Sequence, residues 1–302
     1  VATKSTPRDK ESARVAVLDV GCFSAHLLVV DHTPDRQVVS HKVRLRLDQA
    51  IDADGRITRR GIEHIVDAVQ TTEQRLHGLG AGRFLPFATS SVRDATNADT
   101  VVETVAERTG VTLRFLTGKQ EARLAYQAAR HWHGPADALT VLDVGGGTVE
   151  IAYGATRRPA FTCSLPLGAR TLTMAGLTDT TDLDDTRTML RGEIRDAIPP
   201  ELRGALAEAP ATGCSKVFES LAKLAGTNHL RADDIAAWIP LLARLSPRHR
   251  ARLPGISSHR ARQVFAGAVV AEALMTATGH ASIDICPWST REGVLLGLLE
   301  LN

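Results

Sequence analysis

Apolar residues in the first fifty positions alternate with polar ones or run in short unbroken stretches, a period that predicts β-strands over 14–19, 24–31 and 36–47. His32-Thr33-Pro34-Asp35 reads as the turn between the last two. A helical period then sets in. Thr58 is placed to cap a helix carrying Ile62, Ile65, Val66 and Val69 on one face, and a short strand over 83–88 follows. Thr89 to Arg93 reads as a loop entering a helix, Asn97 as the cap of the next helix, and 111–116 as a strand. Thr117 with Gln120 has the spacing of a capping box for a helix running to about Trp132. The order is βββαβαβα. It restarts after His133-Gly134-Pro135, with strands predicted over 139–143, 148–153 and 159–165 and helices from about Gly168.

The restart carries a sequence echo, since Val-Leu-Asp-Val-Gly occurs at Val17–Gly21 and again at Val141–Gly145, each time where an apolar run meets a turn. Duplication of one half-domain is the expectation, with each copy offering a carboxylate and a tight loop to a shared cleft. Such a strand end suits phosphate. Glycine lets main-chain N–H groups approach phosphate oxygens, and Asp19 and Asp143 are placed to hold a divalent cation or its water shell. Three successive glycines, Gly145, Gly146 and Gly147, precede Thr148 in the second copy, at a cost in chain entropy that an ordinary turn does not need. The candidate loops are therefore Gly21-Cys22-Phe23-Ser24, Thr89-Ser90-Ser91 and Gly145–Thr148. Thr212-Gly213-Cys214-Ser215-Lys216 is a fourth, a small-residue turn opening a helix. By position alone Glu121 serves equally as a carboxylate complementing a helix dipole, and Glu150 as an outward strand residue.

Composition narrows the classes. The chain has 302 residues and is 43% hydrophobic, enough for two cores, while an aromatic content of 4% supplies few platforms for stacked bases. No apolar stretch approaches a membrane span, and residues 1–14 are polar where a secretory signal needs an apolar centre, so a cytoplasmic protein without membrane or specific nucleic-acid partners is expected. Cys22, Cys163, Cys214 and Cys286 form no C-x-x-C pair, which argues against a zinc site or a disulfide framework. Net charge is only +2, but no acidic residue lies between Asp234 and Glu272, where Arg244, Arg248, Arg250, Arg252, Arg260 and Arg262 fall. Such a stretch is expected to attract a polyanion or to be a solvated basic face.

Several segments together resemble the exopolyphosphatase and guanosine pentaphosphate phosphohydrolase family, within the actin-like, sugar-kinase and Hsp70 superfamily. They are Phe87–Ala95, Thr117–Leu124, Asp143–Glu150, Ser164–Gly168 and Arg291–Gly293, in a match running from about Arg14 to Leu299. The resemblance implies an α/β fold of duplicated actin-like (ribonuclease H-like, ASKHA) domains with a cleft between them. The expected organisation is a polar tail over 1–13, domains over 14–133 and 134–302, and a last helix over about 289–300 that packs back on the first domain; size is that of the short, two-domain actinobacterial form. It implies Glu121 as the base for the attacking water, with Glu150 and Asp143 as acidic catalytic residues. Asp143, Glu150 and Asp19 become metal ligands for Mg²⁺ or Mn²⁺. Phosphate contacts are expected from Gly21, Cys22, Ser24, Thr89, Ser90, Arg93, Gly145, Gly146, Gly147, Thr148, Ser215 and Arg260. The substrate implied is polyphosphate or a phosphorylated nucleotide, and a homodimer is left open.

The first loop departs from that pattern. Relatives read Asp-x-Gly-Ser-Asn-Ser or Thr, whereas this chain has Asp19-Val20-Gly21-Cys22-Phe23-Ser24. Two readings therefore stand beside the phosphohydrolase. One is a specialised phosphatase of a single nucleotide-like metabolite, with Phe23 stacked on a base or filling the space of absent phosphates. The other is a non-catalytic nucleotide or alarmone sensor, disfavoured by the presence of Glu121, Asp143 and Glu150. A nucleophilic cysteine is weaker still, because no histidine stands beside either Cys22 or Cys214 in sequence.

Overall fold

The computed structural model describes residues 14–134 and 137–300. The expected polar tail over 1–13 and Pro135 of the expected joint lie outside the described residues. Contacts divide the described chain into two compact units, one of residues 14–115 with 294–300, the other Leu116–Gly293.

In the first unit β1 (Arg14–Val20), β2 (Ser24–Asp31) and β3 (Thr33–Arg44) form an antiparallel meander. The β2–β3 reversal is tighter than the sequence suggests. His32 alone makes it in a left-handed conformation (φ 62°), and Thr33 already pairs with Asp31, so the expected four-residue turn is absorbed into β3. A 3₁₀ turn over Leu47–Gln49 leads to α1 (Arg59–Leu76), capped as expected by the Thr58 side chain accepting from Gly61 N–H at 3.3 Å. Next come β4 (Arg83–Ala88), the single-turn α2 (Ser90–Arg93), α3 (Ala98–Thr109) and β5 (Arg114–Phe115). Asn97 stands at the start of α3 but does not cap it. Its amide instead exchanges two hydrogen bonds with the backbone of Ile57, at 2.9 and 3.0 Å, tying the α1 approach to α3. Residues 111–116 yield only two strand residues, because only Arg114 and Phe115 pair with β4, while Val111 and Leu113 are buried ahead of the strand.

The second unit opens on α4 (Gly118–His133), whose capping box is complete: Thr117 Oγ accepts from Gln120 N–H and the Gln120 side chain accepts from Thr117 N–H. Here α4 groups with the second sheet, whereas the sequence expectation divided the chain at 133/134. β6 (Leu139–Val144), β7 (Val149–Gly154) and β8 (Phe161–Leu165) form the second meander. The remaining elements are α5 (Ala169–Met174), α6 (Leu183–Asp196), α7 (Pro200–Glu208), β9 (Ala211–Cys214), α8 (Ser215–Ala225), β10 (His229–Arg231), α9 (Ala232–Arg244), α10 (Pro247–Arg250), α11 (Val264–Ala277), β11 (Ser282–Ile285) and α12 (Thr290–Glu300). From Val294 onward α12 groups with the first unit.

Duplication is visible in the sheets. The first has strand order β3-β2-β1-β4-β5, the second β8-β7-β6-β9-β11 with β10 added at its edge. In both, the first strand runs antiparallel to the second and parallel to the fourth, the topology of the ribonuclease H-like, actin-like fold. Each pentapeptide ends its unit's first strand. α11 is apolar on all sides and lies buried in the second core, as a helix without a polar face must. Its one carboxylate, Glu272, is buried but ion-paired to Arg191 (2.6 Å) and Arg187 (3.3 Å) from α6.

The basic stretch after Asp234 is not one charged face. Arg250 is buried, donating to the carbonyls of Leu242 (2.6 Å) and Arg262 (3.4 Å) and lying over the Phe265 ring, so one of its six arginines is a core staple.

Candidate active site

The two repeated loops have the same closure. Gly21 N–H donates to Ser24 O at 3.0 Å and Gly145 N–H donates to Thr148 O at 2.9 Å, each bridging the hairpin that follows Asp-x-Gly. Register places Asp19 opposite His26 in one sheet and Asp143 opposite Glu150 in the other. Two carboxylates thus stand side by side on β6 and β7 in the second unit only.

The glycine loop of the second unit is held from one side. Gly168, Ala169, Arg170 and Thr171 at the start of α5 donate their N–H groups to the carbonyls of Gly147, Gly145, Gly146 and Gly146, at 2.8–3.2 Å, and Thr171 Oγ adds a bond to Gly147 O. Those donors are the ones a helix start leaves unpaired. Using them to bind the loop's carbonyls turns the loop's own N–H groups the other way. Among the described residues, the N–H groups of Gly146, Gly147 and Thr148 donate to no backbone or side-chain acceptor, so they are available to an anion. Gly168 is required: a Cβ there would come within 2.3 Å of Gly147 C.

Asp143 and Glu150 are 8% and 6% exposed. Glu150 Oε1 accepts from Ser164 Oγ at 2.8 Å, and Gly118 lets α4 approach that serine, since a Cβ there would meet Ser164 Oγ at 2.3 Å. Glu121, in the first turn of α4, is also buried. Asp143 Oδ2 accepts from Ser289 Oγ at 2.6 Å. The adjacent Thr290 donates its hydroxyl to Glu121 O at 3.4 Å, so one dipeptide at the start of α12 braces both acidic positions. Ser289 is itself fixed, because its N–H donates to Glu292, whose carboxylate is ion-paired with Arg291 at 2.6 Å. The Arg291–Gly293 segment is thus a support for the Asp143 side chain. Gly293 is pressed against Leu124 O, where a Cβ would stand 2.1 Å away. Burial pushes the Asp143 carboxyl up to about 6, more than the Ser289 hydrogen bond lowers it; nearby Glu219 raises it further. Ser215 also lies near Asp143, but its buried hydroxyl makes no hydrogen bond of acceptable geometry. Its backbone is left-handed (φ 85°), a strained conformation for serine of the kind found where structure serves a site.

In the first unit, Asp19, Gly21 and Thr89 converge: a Cβ on Gly21 would lie 3.9 Å from both Asp19 Oδ1 and Thr89 Oγ. Thr89 N–H donates to Val20 O, and Ser90 is buried in α2. Arg93 holds Asp94 in a two-pronged ion pair, at 2.7 and 3.0 Å. Ser24 begins β2. Cys22 and Phe23 are 8% and 6% exposed and pack within the first unit's core cluster. Their carbonyls accept from Leu47 and Leu45 N–H, anchoring the chain after β3. Arg260 lies in the turn before α11, half-buried.

At two of the cysteines the thiolate is disfavoured. Burial pushes the Cys163 thiol up to about 12, and Cys214 is raised by its contact with the Cys286 thiol and then by burial. For a cation, no group of three His, Cys, Asp or Glu that could hold a metal occurs among the described residues. The Asp143–Glu150 pair nevertheless fits Mg²⁺ chemistry, in which one or two carboxylates act together with waters and substrate phosphates. Ser289 was not singled out by sequence reasoning, although Ser289-x-x-Glu292 before an apolar run carries the spacing of a capping box.

A profile of the Ppx/GppA phosphatase family matches residues 28–302. The chain is 38% identical to Exopolyphosphatase 1 of Mycobacterium tuberculosis over 95% of its own length and 88% of the relative's, and 38% identical to Exopolyphosphatase 1 of Mycobacterium leprae over 95% and 90%. Among solved structures, an exopolyphosphatase from Cytophaga hutchinsonii superposes with a TM-score of 0.81 at 22% identity, covering 95% of this chain and 98% of the other. The Aquifex aeolicus PPX-GPPA enzyme superposes with a TM-score of 0.79 at 22% identity, covering 94% and 99%.

Proposed function

This chain belongs to the Ppx/GppA phosphatase family, and on that premise we propose that it is a phosphohydrolase releasing the terminal phosphate of polyphosphate by attack of water. The observation that carries this reading is the glycine loop. The carbonyls of Gly145, Gly146 and Gly147 are engaged by the start of α5, and the N–H groups of Gly146, Gly147 and Thr148, between Asp143 and Glu150 in the chain, have no protein acceptor among the described residues.

In the proposed reaction the N–H groups of Gly146, Gly147 and Thr148 bind the oxygens of the terminal phosphoryl group and stabilise the charge that gathers on them. Glu121 accepts a proton from water as its oxygen bonds to phosphorus. The bridging P–O bond breaks, and the chain leaves one phosphate shorter. Asp143 and Glu150 would hold a divalent cation, which when bound spreads negative charge over the phosphates. Ser289 and Ser164 keep those two carboxylates from rotating, so their role is positional. The family match supports phosphate hydrolysis, and the relatives' names support polyphosphate as the substrate.

A substrate panel tests it. Phosphate release from long-chain polyphosphate, tripolyphosphate, guanosine pentaphosphate and nucleoside monophosphates, with Mg²⁺ or Mn²⁺, should favour the inorganic chains. Release confined to one nucleotide would replace polyphosphate with a specialised substrate, and none from any would leave a sensor.

A further inference from the structure

A basic groove lies on the flank of α4. Lys119, Arg123 and Gln127 recur at a four-residue spacing along one exposed side of that helix, facing Arg158 in the turn between β7 and β8. Together with Gln120 and Thr162 they line a cavity of about 580 Å³ that contains no carboxylate. Lys119, Arg123 and Arg158 make no ion pair among the described residues, whereas Arg93, Arg108, Arg187, Arg191 and Arg291 all do. Three cations gathered without a counter-charge repel one another, so a groove that keeps them together favours an anion. β8 is also the last strand of its sheet, so the groove is open along one strand edge rather than closed by a neighbour.

We propose that this groove binds an inorganic oligophosphate chain at a site separate from the glycine loop. None of the loop residues, Asp143 or Glu150 lines it. Two guanidinium forks, an ammonium and two carboxamides supply donors for several successive phosphates. The volume lies in the range of small-molecule sites. No aromatic side chain lines the cavity, so a base would gain no stacking there and the phosphate chain itself is what is recognised. The site goes beyond the catalytic reading: it gives the protein a hold on a second chain or on a distant part of the same one.

The test reads binding only, so its outcome is independent of phosphate release. The probe is imidotriphosphate, whose P–N–P bridges resist hydrolysis, and the readout is acetylation of Lys119 by mass spectrometry, with exposed Lys223 as reference. Saturating probe should slow Lys119 modification at least about fivefold relative to Lys223, and Arg123→Glu with Arg158→Glu should abolish that protection. Both arginines are exposed, so the paired variant should keep the native circular dichroism, and Arg123→Lys with Arg158→Lys should retain protection as a control for charge. No protection in the native protein, or equal protection in the Glu variant, overturns the proposal. A guanosine analogue with the same imido bridges should protect no better than the inorganic probe; a preference above about tenfold for the nucleoside would overturn the assignment to an inorganic chain.

Discussion

At the scale of single residues, Asp143 carries the clearest energetic signature. Its carboxyl moves from an ordinary 3.8 to about 6 because burial disfavours the charged form. The native state therefore binds more protons than the unfolded chain between pH ~4 and ~6, and stability falls as pH rises through that window. Asp143→Asn removes the ionisable group while keeping an acceptor for Ser289. In metal-free buffer the variant should be more stable than wild type at pH 7 by up to about 3 kcal/mol, with the difference vanishing near pH 4. Thermal melts at pH 4, 5.5 and 7 check this, and parallel curves for the two proteins would refute it. Such a gain would mark a group kept for chemistry at the expense of stability.

At the scale of elements, the contact between α5 and the glycine loop predicts sharply different effects for two glycine substitutions. Gly168→Ala puts a Cβ 2.3 Å from a main-chain carbon of Gly147, so loop or helix must shift. It should cost about 1–3 kcal/mol of stability and, by misplacing the loop's N–H groups, about 100-fold in turnover. Gly192→Ala meets open space inside α6 and should raise stability by about 0.5–1 kcal/mol without altering turnover. Denaturant titration and phosphate release on both variants decide the matter. If both behave alike, the loop is not braced as described. The same contact shows why sequence sees an element more readily than its use. Gly145, Gly146 and Gly147 announce a loop, but which side of the loop faces outward depends on α5, more than twenty residues away in sequence.

At the scale of the molecule, topology was legible because it rests on periodicity and on a repeat. The β1–β2 and β6–β7 hairpins, Arg83–Ala88, the Thr58 cap and the Thr117–Gln120 box depend on local spacing, and each stands where that spacing puts it. Distant contacts were not legible. Asn97 looks like a cap until Ile57, forty residues earlier, claims its amide. Phe23 reads as an unusual loop residue, and only the fold shows that it packs in the first unit's core. Arg250 reads as part of a charged stretch but is held by Leu242 O and Phe265. The acidic positions were visible through resemblance, whereas their support by Ser289, 146 residues beyond Asp143, required the fold.

The account rests on water attack assisted by a buried carboxylate on α4, and Glu121→Gln addresses it directly. The amide keeps the side chain's shape but cannot take a proton. Phosphate release from long-chain polyphosphate should fall about 10²–10⁴-fold, while binding of imidotriphosphate stays within about threefold of wild type. Turnover within a few-fold of wild type would contradict the account and remove Glu121 from the chemistry.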